Sequence, residues 1–190
     1  MSSQSPKLLI TGANGFIGQY LSNYLIRKKE VHTNNLVKVV RKLPKLNNNY
    51  LAVGEIDQQT DWQQALKGVD TIIHLAARVH VMNETSDDPL LEFRITNLQG
   101  TLNLAQQAIE AGVKRFIYLS TIKVNGEKTT QQPFCADDRP YYTHDYNKSS
   151  LGDAYALSKY EAESALLDLH QQQQIEVVII RPPLVYGPGV

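Results

Sequence analysis

Three glycines at fixed intervals follow an apolar run near the start of the chain, in the stretch KLLITGANGFIG at residues 7–18. Glycine is costly in regular structure, so its repeated use indicates backbone that turns tightly or lies close to another group. Apolar residues then recur every three or four positions up to Leu25, as on one face of a helix. The stretch predicts a buried strand, a tight turn and a helix whose N-terminus faces an anion, which is the pattern of a dinucleotide-binding fold. An ordinary glycine-rich turn is the alternative, and the spacing G-x-x-G-x-x-G differs from the commoner G-x-G-x-x-G.

Apolar β-rich runs alternate with helical patterns along the chain. This alternation predicts a parallel sheet covered on both faces, and right-handed crossovers then give a doubly wound α/β fold of the Rossmann type. The predicted strands are Lys7–Thr11, Leu36–Val40, Tyr50–Val53, Thr71–Ala76, Arg115–Ser120 and Glu176–Arg181. The predicted helices are Gly15–Arg27, Asp61–Lys67, Pro89–Ala111 and Asp153–His170. We expect residues 1–190 to form one dinucleotide-binding domain with its ligand at the carboxyl ends of the strands.

The overall composition narrows the range of partners. Nineteen Lys and Arg residues balance nineteen Asp and Glu residues, which argues against nucleic acid or a membrane surface as a partner. No apolar run is long enough to span a bilayer, and the N-terminus lacks the apolar core of a signal peptide. The single cysteine, Cys135, has no partner for an internal disulfide, so we expect a cytoplasmic location. The polar residues 131–152 are expected to be either a substrate-facing loop or a disordered excursion.

The residues after the second and third strands concern the choice of cofactor. Arg41 and Lys42 stand where folds that bind NAD usually carry an acidic residue for the ribose 2′-hydroxyl. Their charge favours a 2′-phosphate, and hence NADP over NAD, although two solvated loop cations would have the same sequence. Asp57 is either an acceptor for the adenine amino group or a cap of the helix predicted over Asp61–Lys67.

His74, at the end of the fourth predicted strand, is expected to be a hydrogen-bonded core histidine rather than a ligand. The residues around it offer no second His or Cys at the spacing of a metal site. We therefore expect no metal.

A tyrosine and a lysine four residues apart, Tyr155 and Lys159, share one face of the last predicted helix. A tyrosine, with a pKa of about 10, is a poor base at neutral pH. A neighbouring ammonium and a cationic nicotinamide ring would lower that pKa. Such a tyrosine removes a proton from an alcohol while hydride leaves to the cofactor, and returns it in the reverse reaction. The hydroxyls of Ser120 and Thr121, after the fifth strand, lie at the edge where a substrate is expected.

Six stretches, in order, resemble the extended short-chain dehydrogenase/reductases, which form the NAD(P)-dependent nucleotide-sugar epimerase/dehydratase family, and in particular its UDP-glucose 4-epimerase-like branch. They are TGANGFIG, GEIDQQTDWQQALKGVDTIIHLAA, RITNLQGTLNLAQQA, YLSTIKVNGE, YALSKYEAE and RPPLVYGPG. The resemblance implies reversible hydride transfer at a carbon of a nucleoside-diphosphate sugar, in epimerisation or 4-keto reduction. A different class of function is an NADP-binding, redox-sensing regulatory module without catalysis. A sensor has no need of the Thr121, Tyr155 and Lys159 set.

The resemblance also implies roles for single residues. Tyr155 would be the acid/base, Lys159 would bind the nicotinamide ribose, and Thr121 would take the place of the catalytic Ser or Thr. Asn97 would steady the site and its waters. The residues implied in cofactor binding, besides Tyr155 and Lys159, are Gly12, Asn14, Gly15, Phe16, Ile17, Gly18, Arg41, Ile56, Asp57, Leu75, Ala76, Ala77, Pro182, Pro183 and Val185.

The family resemblance further implies a homodimer through the outer faces of two helices. One apolar stripe comprises Leu98, Leu102, Ala105 and Ile109, and the other comprises Ala162, Ala165, Leu166 and Leu169. Core packing is the alternative use of these residues.

The chain departs from the family in three places. Asn125 precedes Gly126 where many epimerases have Tyr, and no acidic residue follows the second strand, so a reductase is slightly favoured over a strict epimerase. The chain stops at RPPLVYGPGV, where the family continues into a C-terminal lobe that grips the nucleotide-sugar. We therefore expect that substrate lobe to be missing.

Overall fold

The computed structural model describes residues 6–45, 49–79, 86–126, 132–135 and 151–188, with only the backbone described at residues 151–153. Most of the polar segment 131–152 lies outside the described residues, and so does the chain end after residue 188.

A six-stranded sheet, parallel throughout, forms the centre of the described chain, in the order β3-β2-β1-β4-β5-β6. Its strands are β1 Leu8–Thr11, β2 Leu36–Val40, β3 Leu51–Ala52, β4 Thr71–His74, β5 Arg115–Leu119 and β6 Glu176–Ile180. The predicted doubly wound parallel fold is confirmed, because the strand order reverses beside β1. Every predicted strand is present, and five of the six are one or two residues shorter than predicted. The trimmed residues, such as Ala76 and Ser120, lie just outside the sheet pairing and begin the loops at its edge.

The helices are α1 Phe16–Arg27, α2 Gln63–Leu66, α3 Pro89–Arg94, α4 Thr101–Glu110 and α5 Leu151–Gln171. α3 and α4 are joined without a break by a π turn, Ile95–Gly100, so the single helix predicted over Pro89–Ala111 contains one wider turn. α2 is shorter than predicted because the Asp61 carboxylate accepts from Gln63 N at 2.9 Å, which starts the helix late.

Apolar residues cover both faces of the sheet. Leu9 of β1 belongs to the larger core cluster, together with Trp62, Phe116 and Leu166, all fully buried. The next residue, Ile10, points to the opposite face and packs with Ala13, Val31 and Leu36. Alternate residues of one strand therefore enter two separate cores, as expected for a strand buried on both sides.

The two apolar stripes predicted for α4 and α5 belong largely to the core. Ala105, Ala162 and Leu166 are fully buried, and Leu98, Ile109 and Leu169 pack against the same cluster. Helices in the described part of the chain are too short or too polar to cross a membrane.

Candidate functional site

The glycine turn between β1 and α1 is packed so closely that side chains are excluded from two of its positions. Gly12 has a φ of +62°, and a Cβ there would lie 3.0 Å from the backbone nitrogen of Ala76. A Cβ on Gly18 would lie 2.2 Å from the carbonyl oxygen of Gly12, well inside contact distance. The first glycine therefore allows β1 to meet the end of β4, and the third brings α1 onto the turn.

The N-terminus of α1 is open to an anion. Gly15 is its N-cap, in extended conformation, and no side chain caps the helix or places an acidic group in its first turn. The free N–H groups and the helix dipole of this twelve-residue helix favour a negative group. Together with the glycine turn, this end of α1 fits the pyrophosphate of a dinucleotide. Phe16 and Ile17 are partly buried in the first turn, and Asn14 is exposed beside it, where its carbonyl accepts from Gln19.

One hydroxyl ties the end of β1 to the end of β4. Thr11 Oγ1 accepts from the backbone nitrogens of Leu75 and Ala76, both at 3.1 Å, and lies 2.7 Å from His74 Nδ1. Since the oxygen already accepts twice, its own hydrogen points to Nδ1, and His74 Nε2–H donates to Thr101 Oγ1 at 3.0 Å. The strand ends that carry Leu75, Ala76 and Ala77 are thereby fixed beside the glycine turn.

His74 is the hydrogen-bonded core histidine that the sequence predicts. It is fully buried and its ring stacks on Tyr118, with ring centroids 5.9 Å apart. Burial, and secondly the charge of Lys159, lower the pKa of His74 to about 3. Within the described part of the chain, no group of three or more His, Cys, Asp or Glu side chains is placed to hold a metal ion.

The residues expected near the adenine and its ribose follow β2 and β3. Arg41 is exposed and forms an ion pair with Glu55, with 3.2 Å between Nη1 and Oε2. The Asp57 carboxylate closes its own turn by accepting from Gln59 N at 2.7 Å and from the Thr60 hydroxyl at 3.2 Å. The alternative that Asp57 caps α2 is therefore wrong, because the N-cap of that helix is Trp62 and no side chain caps it.

The π turn places a buried amide between two elements. Asn97, 1% exposed, accepts from the backbone nitrogen of Arg78 at 2.8 Å and donates to its carbonyl at 3.0 Å. The same Nδ2 donates to Ser158 Oγ at 3.0 Å, and Ser158 in turn donates to the Tyr155 carbonyl at 2.8 Å. The residues that follow β4 are thus joined through Asn97 to the turn of α5 that carries Tyr155.

Thr121 is the N-cap of a 3₁₀ turn, Ile122–Asn125, that follows β5 and packs against α5. Its hydroxyl accepts from Lys123 N at 3.3 Å. The neighbouring Ser120 hydroxyl is buried and has no hydrogen-bond partner among the described residues. An unpaired buried hydroxyl is costly unless water or a ligand satisfies it, so this edge of β5 suits a polar ligand.

Tyr155 and Lys159 occupy adjacent turns of α5 in very different surroundings. Tyr155 is partly buried against Phe93, with ring centroids 6.0 Å apart, and burial raises its pKa. Lys159 is 1% exposed, with Nζ 3.9 Å from the centroid of the Tyr118 ring, and burial lowers its pKa to about 7. The lowering of the Tyr155 pKa expected from Lys159 is not seen in the chain alone, because desolvation dominates.

After β6 the chain runs along the same edge of the sheet. The Pro182 carbonyl accepts from Ile122 N at 3.0 Å, and a Cβ on Gly187 would lie 3.5 Å from Phe16 at the start of α1. Pro183 and Val185, between these two contacts, are exposed. This segment therefore lies between the 3₁₀ turn after β5 and the glycine turn.

The sequence reading missed a buried ion pair beside Lys159. Arg181 donates from Nε to both carboxylate oxygens of Glu163 at 3.1 Å, and from Nη2 to Oε2 at 2.6 Å. Glu163 is 1% exposed and lies four residues after Lys159 on α5. The sequence held one signal for this pair: Glu163 is an acidic residue four positions after Lys159, on a helical face whose other neighbours are mostly apolar.

Comparisons with known proteins agree with this geometry. The sequence profile of the NAD dependent epimerase/dehydratase family matches residues 8–190. A UDP-glucose 4-epimerase of Vibrio cholerae is 43% identical over 183 residues, which are 96% of this chain and 53% of that protein. A UDP-glucuronic acid 4-epimerase of Bacillus cereus, solved in complex with NAD, superposes with a TM-score of 0.73 at 26% identity, over 96% of this chain and 58% of that one.

A second solved structure supports the fold assignment only, because its sequence identity to this chain is low. A yeast methylglyoxal/isovaleraldehyde reductase in complex with NADPH has a TM-score of 0.79 at 20% identity, over 96% of this chain and 59% of that one. The chain thus spans about half the length of the relatives that it matches.

Proposed function

Because the chain belongs to the NAD dependent epimerase/dehydratase family, we propose that it supports reversible hydride transfer at a carbon of a nucleoside-diphosphate sugar, as a 4-epimerase or 4-ketoreductase. The observation that carries this proposal is the Tyr155 and Lys159 pair on α5, whose helical turn is joined through Ser158 and Asn97 to the residues after β4, against which the glycine turn packs. The 43% identity to a UDP-glucose 4-epimerase supports a uridine diphosphate sugar as the substrate.

The proposed roles follow from the surroundings of each side chain. A bound nicotinamide cofactor would supply the acceptor and donor of hydride. The turn at Gly12–Gly18 would hold its pyrophosphate at the start of α1. Tyr155, whose pKa burial raises, is a neutral phenol suited to donate a proton to a sugar oxygen. Lys159 would bind the nicotinamide ribose and favour the phenolate when Tyr155 acts as base, while Thr121 would hydrogen-bond the same sugar oxygen.

The decisive experiment is turnover of UDP-sugars by the purified protein and its Tyr155→Phe variant. We expect the variant to keep nearly all of its cofactor affinity and to lose roughly a hundredfold or more in turnover, the scale of a missing general acid/base. Tyr20→Phe is the control, because it removes a hydroxyl from a side chain that is 68% exposed on α1. Unchanged turnover in Tyr155→Phe would refute the assignment. Because the chain spans about half the length of its relatives, the sugars are also assayed at the highest concentrations that stay in solution. NADP binding without turnover of any UDP-sugar under those conditions would favour a redox-sensing module.

We propose that NADP binds more tightly than NAD. Arg41 follows β2, and its ion pair with Glu55 is exposed at both ends, so it costs little to exchange for a 2′-phosphate. Arg41→Ala should narrow the preference by about 1–3 kcal/mol, the range for a charge-assisted hydrogen bond. Glu55→Gln should widen it by removing the competing carboxylate. Calorimetric titrations with both cofactors measure these differences, and equal affinities in the parent would contradict the proposal.

The proposal also covers the domain organisation, the oligomeric state and the location of the protein. The chain acts as one dinucleotide-binding domain, and it works as a homodimer through the outer faces of α4 and α5. A cytoplasmic location is proposed on the single Cys135 alone.

A further inference from the structure

Three charged side chains lie close together in the interior: Lys159 and Glu163, four residues apart on α5, and Arg181, which is paired with Glu163. Lys159 and Glu163 are each 1% exposed, and the Arg181 side chain, from the segment after β6, is 17% exposed. Burying a charge is costly unless it is paired and hydrogen-bonded. Two cationic side chains and one carboxylate at buried positions are therefore not explained by core packing alone.

The Glu163 carboxylate is held rigidly by a forked contact. Arg181 directs Nε and Nη2 at it, with three donor–acceptor distances between 2.6 and 3.1 Å. Arg181 also reaches Asn125 Oδ1 at 3.4 Å in the 3₁₀ turn after Thr121. A planar guanidinium gripping a carboxylate in this way fixes its direction as well as compensating its burial.

The titratable groups that interact with Lys159 come from β4, β5 and its own helix. Tyr118 of β5 lies under Nζ, His74 of β4 senses its charge, and Tyr155 and Glu163 share its helix. Burial and, secondly, the charge of Lys159 lower the pKa of His74 and keep it neutral. Burial raises the pKa values of Tyr118 and Tyr155, and at Tyr118 the charges of Tyr155 and Glu163 act in the same direction. Near neutral pH, Lys159 is thus the titrating base of this cluster, and Glu163 is the anion whose charge opposes the effect of burial.

We propose that Glu163 is a positioning residue that holds Lys159 in its ammonium form, with Arg181 fixing the carboxylate in the required place. This inference deepens the proposed function, because it concerns the side chain proposed there to bind the cofactor ribose. Glu163 would not contact cofactor or substrate and would act only through Lys159. The buried ion pair of Glu163 and Arg181 would thus contribute to the reaction, through the charge of Lys159, as well as to packing.

The test is a direct titration of Lys159 by NMR in protein labelled with ¹³C at the lysine Cε. Lys159→Met identifies the signal by its disappearance. We expect a parent midpoint at about 7, and a midpoint lower by about one pH unit or more in Glu163→Gln, which removes the charge and keeps the shape. The control is Glu161→Gln on the same helix, which breaks an ion pair with Arg94 on α3. Its midpoint should match the parent.

A Glu163→Gln midpoint that moves no more than that of Glu161→Gln overturns the inference. Should Glu163→Gln fail to fold, Glu163→Asp keeps the charge and withdraws it by one methylene. It should lower the midpoint by a smaller amount, and a midpoint at or above the parent value contradicts the role.

A second readout separates this inference from the proposed function. NADPH affinity, followed by cofactor fluorescence, should decrease as the pH rises above the Lys159 midpoint. In Glu163→Gln this decrease should begin at a lower pH than in the parent. If the NMR midpoint of Lys159 is lower in Glu163→Gln but NADPH affinity does not depend on pH, then Glu163 acts as inferred and the proposed ribose-binding role of Lys159 is wrong.

Discussion

At the residue scale, Lys159 carries a charge in a position that costs the protein stability. Its side chain is 1% exposed and burial lowers its pKa to about 7. The unfolded chain, with an ordinary lysine pKa of about 10.4, binds a proton that the folded chain releases between these two values. Stability therefore rises with pH across that window, by up to about 1.4 kcal/mol per pH unit, and the penalty is largest at and below neutral pH.

Lys159→Met should accordingly stabilise the fold while impairing cofactor binding. At about pH 7 we expect a gain of about 1–3 kcal/mol in the free energy of unfolding, because Glu163 keeps its partner Arg181. The gain should shrink as the pH approaches 10. Urea unfolding at both pH values measures it, with Lys42→Met as the control at an exposed lysine. A variant less stable than the parent at neutral pH would show that the ammonium stabilises the core.

The sequence predicted the proposed catalytic pair, which depends on spacing within one helix, and missed the residues that depend on long-range contacts. Tyr155 and Lys159 are four apart on one helix, so their common face is readable without a fold. Arg181 meets Glu163 because α5 packs against β6, which no local pattern shows. The sequence also could not show that the Tyr155 pKa is raised, since burial of its ring beside Phe93 causes the shift.

At the element scale, the helical stretch from α3 to α4 lies directly on the loop after β3. A Cβ on Gly100 would lie 2.7 Å from Ile56 Cγ2 and 3.0 Å from the Ile56 backbone. Asn103, one turn later, donates to the carbonyls of Asp57 and Thr60 at 3.0 and 2.8 Å. The strand positions were predictable from apolar runs, but the π turn was not, because helical periodicity does not reveal one extra residue in a turn.

Gly100→Ala is expected to destabilise the protein, although Gly100 has helical dihedral angles at which alanine is normally favoured. The added methyl group must displace backbone, which costs roughly 1–3 kcal/mol. Gly187→Ala is the matched control, since its Cβ would make an ordinary 3.5 Å contact. Thermal unfolding of the two variants compares them. A Gly100→Ala protein as stable as the parent would mean that the loop after β3 yields easily.

At the scale of the whole molecule, much of the apolar surface on α4 and α5 is committed to the core. What remains outside includes Leu167, 39% exposed on α5, and the partly buried Leu102 and Ala165. This is a modest surface, and the proposal of a dimer rests on it and on the family resemblance.

We expect the protein to sediment as a dimer at micromolar concentration, and Leu167→Glu to shift it towards the monomer by placing a charge in the helix interface. Leu184→Glu is the control, because Leu184 is 85% exposed on the segment after β6. Sedimentation equilibrium distinguishes these states. A monomeric parent, or equal effects of both substitutions, would count against this interface.

The π turn sets a limit on insertions and deletions in this helix. An α-helix advances about 100° per residue, so losing one residue from Ile95–Gly100 would rotate all of α4 by that angle relative to α3. Thr101 would swing away from His74, and Asn103 away from the loop after β3. Point substitutions that respect these contacts can accumulate along the segment, whereas a single-codon deletion would misalign every contact downstream of it.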